Sequence, residues 1–121
     1  MADKLLIVLM NSDLRNPSEL GAPFSQAAVA AAMEYEVEVI LTGRAGELAK
    51  KGVAEQLHLP EGGKSIYAYI QEAHEGGVRL KVCAPAVELW GDELIPEIEE
   101  TVGSAYLISE AMDDATVTFT Y

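Results

Sequence analysis

Cys83 is the one residue of this chain whose side-chain type alone suggests a nucleophile, and it is the only cysteine in 121 residues. A thiolate attacks sulfur and carbonyl centres, so a lone cysteine can exchange disulfide or persulfide bonds. Its partner sulfur must then sit on another molecule. A single cysteine excludes an intramolecular disulfide and a cysteine-rich metal site within one chain. The competing role is structural, because cysteine is among the most buried residue types and packs as a small apolar side chain.

The surroundings of Cys83 favour chemistry. Val78–Cys83 (VRLKVC) reads as a strand, and Cys83 ends it. In open α/β sheets, ligands and reactive groups collect outside the carboxyl ends of strands. The loops Asn11–Arg15 and Thr42–Arg44, after two earlier strands, fall at the same edge. Ala84-Pro85-Ala86 suits the first turn of a helix, whose amides would lower a neighbouring thiol's pKa. Arg15 and Arg44 are the candidate cations, and Trp90 is a candidate pocket wall.

Other constellations fail. The chain has no Gly-x-Gly-x-x-Gly and no phosphate-binding Gly-x-x-x-x-Gly-Lys-Ser/Thr. The loop Asn11–Pro17 lacks the glycine and hydroxyl character of a flavin phosphate loop. Asp13 has no second acid for phosphotransfer. His58 and His74 lack metal-ligand spacing. His74 falls in a helix's last turn, where it complements the dipole. No cofactor and no metal are expected.

The formal charge is −12, with 20 acidic and 8 basic residues. That argues against nucleic acid and anionic membrane as partners. The last basic residue is Lys81. Beyond Cys83 stand only acids, from Glu88 to Asp114, read as a solvated face or a surface for a basic partner. The longest apolar run, Leu5–Met10, is far short of the roughly 20 residues of a membrane helix. The start, Met-Ala-Asp-Lys, lacks a secretory apolar region. A cytoplasmic protein is expected.

The elements that position Cys83 follow from periodicity. Lys4–Met10 (KLLIVLM) is a continuous apolar run, as in a strand buried on both faces. Residues 11–23 read as loop. Phe24–Tyr35 has helical apolar spacing, with Pro23 in its first turn. Glu36–Leu41 (EVEVIL) is a strand, and Thr42–Gly46 a turn. Glu47–Leu57 suggests a short helix broken near Gly52, and 58–63 a loop. Ser65 caps a helix over 66–75 that Gly76-Gly77 stops. After Cys83 come a tight loop and short helical piece to Gly91, then an ambiguous 93–101 that includes a short strand. Gly103–Met112 is a helix with Ala105, Ile108 and Met112 in register, and Thr116–Thr120 a last strand. This alternation predicts one domain over residues 1–121. Its fold is α/β: a three-layer α/β/α sandwich with a mainly parallel sheet of about five strands.

The pattern resembles the DsrE/DsrF-like family of small sulfur-relay proteins. The resemblance rests on KLLIVLM, the alanine-rich helix, Gly-Gly-Val-Arg-Leu-Lys-Val-Cys (76–83) with Gly91 eight residues on, and the close from Gly103 to Phe119. It implies an α/β/α fold, homo-oligomers of three or six subunits, and a cysteine that accepts and donates sulfur as a persulfide. Only Cys83 matches the family's functional position. The implied partners are a sulfur donor protein and an acceptor protein. The alternative is a non-catalytic oligomeric binding or scaffold protein of the same fold.

Overall fold

A computed structural model describes residues 3–60 and 62–121. Glu61, in the expected 58–63 loop, and the first two residues lie outside them. Five strands form one all-parallel sheet in the order β4-β3-β2-β1-β5. They are β1 (Lys4–Leu9), β2 (Glu36–Leu41), β3 (Arg79–Cys83), β4 (Ile98–Val102) and β5 (Thr116–Thr120). The helices are α1 (Ser18–Ala32), α2 (Ile66–Glu75), α3 (Ala84–Trp90) and α4 (Ser104–Ala111). The three-layer α/β/α sandwich is the one expected.

The layers are unequal. Ile7, Leu9, Val37, Val39, Leu41, Leu80 and Val82 face α1, α2 and α3 and form the main core. The alternate positions Leu6, Val8 and Ile40, with Val102, face α4 in a smaller cluster. Period-two alternation thus gives both sides of the central strands apolar residues, which explains the unbroken KLLIVL run.

α1 starts at Ser18, six residues before the expected Phe24, and Pro23 lies inside it rather than in its first turn. Pro23 cannot donate to the preceding turn. The helix continues because Leu20, Phe24 and Ala27 recur at helical spacing in the core. Ser65 caps α2 as expected, its Oγ accepting from the Ala68 amide at 3.1 Å. Gly77 follows with φ 104, a conformation that favours glycine.

Residues Gly43–Ala49 form a 3₁₀ segment, and Ala54–Gln56 a second, where a turn and one broken helix were expected. The first packs so closely on α3 that a Cβ at Gly46 would stand 2.5 Å from the Ala86 Cβ. α4 is where expected, but the residues that periodicity puts in register do not form its inward face. Tyr106, Leu107 and Ala111 turn inward, while Ile108 and Met112 are exposed. The polar anchor described below fixes that orientation.

Candidate functional site at the strand ends

Cys83 is the last residue of β3, and its register partner is Val102, the last residue of β4. From Cys83 the chain enters α3, which packs on the main core through Ala86, Val87 and Trp90. From Val102 it passes through Gly103 into α4, on the opposite face. In the order β4-β3-β2-β1-β5 the strand order reverses between β1 and β5, so the topological switch point is that pair and not β3–β4. Cys83 stands at the carboxyl edge of the sheet, between the departures of α3 and α4 toward opposite faces. Sequence periodicity placed it at a strand end, and the fold sets that end between two helices.

The thiol itself is enclosed. Cys83 is 4% exposed. Leu80 and Val82 face the main core, so Cys83 shares the α4 face with Lys81. It also occupies the N-cap position of α3, with Pro85 in the first turn. The expected contact between helix amides and sulfur is not made, because the Cys83 side chain accepts no capping hydrogen bond.

The two candidate cations go elsewhere. Arg15 pairs with Asp13 at 3.2 Å. The Asp13 carboxyl lies below its ordinary value, chiefly through the Arg15 backbone amide and then its guanidinium. Arg44 is exposed on the 3₁₀ segment. Trp90 does reach this edge: its Nε1 donates to the Gly43 carbonyl at 3.1 Å, tying α3 to that segment.

Beside Cys83, under α4, lies a group of charges that periodicity did not single out. Glu38 and Lys81 are 0% and 2% exposed and stand 3.3 Å apart. Across four neighbouring strands the signs alternate as Lys4, Glu38, Lys81, Glu100. Lys4 reaches Glu38 Oε2 at 3.0 Å, and Lys81 reaches Glu100 at 2.9 Å. Tyr106 of α4 closes the group, accepting from Lys81 at 2.6 Å and donating to Glu38 Oε1 at 2.7 Å. Glu110, also of α4, accepts from Lys4.

A register shift after Leu80 lets the consecutive Glu99 and Glu100 serve Arg79 and Lys81. A buried charge is tolerated only when paired and hydrogen-bonded, which these are. Burial pulls the Lys81 and Lys4 ammonium groups down in pKa. Hydrogen bonds to Tyr106 and Glu100 outweigh that for Lys81, and to Glu110 and Glu38 for Lys4, so both end above their ordinary value. Burial pushes Glu38 up, but Tyr106 and Lys4 more than offset it, and its carboxyl lies below the ordinary range.

The acids beyond Cys83 are therefore not uniformly solvated. Glu97 is buried and accepts from the Tyr67 hydroxyl at 3.0 Å. The visible signal was charge at inward positions of two strands, Glu38 in EVEVIL and Lys81 in VRLKVC.

A cavity of about 580 Å³ lies elsewhere, between α1 and β5, lined by Leu5, Val29, Met33, Tyr35, Val117 and Phe119. It is mainly apolar and lies at the opposite edge of the sheet from the β3–β4 pair, sharing Lys4 with the charge group but not reaching Cys83. No helix among the described residues is long and apolar enough to cross a membrane. No group of three or more His, Cys, Asp or Glu among them is placed to hold a metal ion.

The fold and site define a class: a small parallel α/β/α sandwich with a single thiol at the carboxyl end of a sheet strand. The family model described as "DsrE/DsrF-like family" matches residues 3–119, and the chain belongs to that family. Among solved structures it is similar to the ychN protein from E. coli, with a TM-score of 0.70 over 98% of this chain and 100% of that one. Sequence identity there is 17%, so the likeness is one of fold. No curated protein matches the chain by sequence.

Proposed function

We propose that this protein is a cytoplasmic sulfur carrier that holds sulfur as a persulfide on Cys83. The observation that carries the proposal is the placement of the only cysteine at the carboxyl end of β3, between α3 and α4, in a chain of the DsrE/DsrF-like family. The Cys83 thiolate attacks the outer sulfur of a donor persulfide, R–S–SH. The donor S–S bond breaks, R–S⁻ leaves, and Cys83–S–SH remains. An acceptor thiolate then attacks that outer sulfur and releases Cys83 as thiolate. Each step exchanges one S–S bond for another, with no net oxidation.

The enclosure of Cys83 shapes the cycle. Exchange requires the β3–β4 ends to open, so loading is limited by local opening and by a partner that promotes it. The carrier acts as a homo-oligomer of three or six copies, with donor and acceptor proteins as its other partners. The lining of the α1–β5 cavity contains no acid. In a chain of charge −12, that is where two copies meet without apposing carboxylates.

Cyanolysis tests the sulfur step. Protein treated with a persulfide donor and desalted releases thiocyanate when cyanide is added, and Cys83→Ser releases none. Equal release from both proteins, or none from the native one, refutes the assignment.

A second reading is favoured by the 4% exposure of Cys83. In it the protein is a non-catalytic oligomeric scaffold and the thiol is packing. The same assay separates the two, since a scaffold releases no thiocyanate.

A further inference from the structure

Eight residues of the chain are basic. Five of them hold acids: Lys4, Arg15, Lys64, Arg79 and Lys81. Among the described residues, Arg44, Lys50 and Lys51 have no ion pair. All three are exposed. With 20 acids for 8 bases, a surface cation meets a carboxylate easily. The three that meet none share one eight-residue stretch.

That stretch lies at the site's edge. It leaves the carboxyl end of β2, the strand next to β3. The Trp90 bond to Gly43 fastens it to the helix that begins after Cys83. Arg15, whose side chain is 87% exposed, and Lys51 line one groove of about 430 Å³. The charge of Arg44 reaches Asp13, the partner of Arg15. Of the acids beside it, Asp13 is engaged by Arg15, Glu47 lines the groove, and Glu93 is brought near by its backbone carbonyl, which accepts from the Lys51 amide. From Val39 to Ala54 the chain carries three cations and one acid.

We propose that Arg15, Arg44, Lys50 and Lys51 form a docking surface for an acidic segment of a partner protein. The four cations come from two loops and are exposed, with no buried donor among them. That suits a row of carboxylates rather than one small anion enclosed in a cradle. A nucleic acid is disfavoured, because its dense phosphates meet a net charge of −12 around the strip. The strip gives orientation, setting the partner's segment at the strand ends where α3 begins. The inference stands on the cations and does not require Cys83 to carry sulfur.

A labelled decaglutamate peptide tests it by fluorescence anisotropy at about 0.1 M salt, where a screening length of roughly 10 Å mutes the distant acids. The native protein binds saturably. The triple variant Arg44→Glu/Lys50→Glu/Lys51→Glu binds about ten-fold more weakly or less. Lys64→Glu, a charge reversal elsewhere, leaves binding unchanged. Carbodiimide cross-linking of the peptide to native protein, read by peptide mass spectrometry, gives adducts at Lys50 and Lys51 and not at Lys64, and needs no variant to fold. The inference is overturned by absence of saturable binding, by equal affinity in the triple variant, or by adducts at Lys64 as abundant as at Lys50 and Lys51. Displacement of the peptide by equimolar phosphate, or tighter binding of an oligouridylate, also overturns it.

Discussion

Cys83 and Val102 are register partners at the carboxyl ends of β3 and β4, and the chain leaves them toward opposite faces of the sheet. That relationship turns an isolated cysteine into a located one. It also ties the thiol to α4, because the helix begins two residues after Val102 and is anchored on Lys81, two residues before Cys83. The thiol, the strand ends and the buried charges therefore meet in one place.

Glu38 is the centre of the buried charge group, and its removal takes one carboxylate partner from each of two ammonium groups, Lys4 and Lys81. Glu38→Gln is expected to destabilise the fold by about 3 kcal/mol or more, read from urea unfolding. The double variant Glu38→Leu/Lys81→Met is expected to lose less than Glu38→Leu alone, since it leaves no buried Lys81 deprived of its most buried carboxylate partner. A double variant that loses the sum of the two single changes contradicts the pairing.

Stability should depend on pH through the same residues. The folded Glu38 carboxyl lies below its ordinary 4.5, so its stabilisation is fully present above pH 4.5. It is lost as pH falls through the lower folded value. Lys4 and Lys81 lie above their ordinary 10.5, so theirs is present below pH 10.5 and lost as pH rises through the higher folded values. Thermal melting across pH should show both limbs. In Glu38→Gln the acid limb should flatten relative to the native protein, and an unchanged acid limb would assign it to other carboxylates.

α4 has no buried residue and is held largely by Tyr106 and Glu110. Tyr106→Phe keeps the ring and deletes both hydrogen bonds. The expected cost is about 1–3 kcal/mol, because a buried charged partner is left short of a bond. Amide exchange should accelerate across Ser104–Ala111 more than across α2. Uniform acceleration in both helices would contradict a local anchor.

The parts legible in the sequence are those specified by neighbours along the chain. Ser65 and Gly76-Gly77 mark both ends of α2, and the VRLKVC run ends where β3 does. What was not legible depends on distant partners. β4 was ambiguous because IEETV carries two adjacent acids, and only the shifted pairing with Arg79 and Lys81 explains them. The inward side of α4 was misassigned because apolar periodicity favours Ile108 and Met112, whereas a tyrosine that meets buried charges settles the matter. The start of α1 was hidden by Pro23, which reads locally as a first-turn residue. For the site, Cys83 and its strand end were visible. Its partnership with Val102, and the 4% exposure that follows from enclosure between strands and helices, required the fold.

The most direct measurement is the intact mass of the protein after incubation with a persulfide donor and removal of excess reagent. A carrier shows an added mass of about 32 Da, one sulfur atom, that a thiol reductant removes and that Cys83→Ser never acquires. An unchanged mass in the native protein, or the same adduct on Cys83→Ser, would contradict the account.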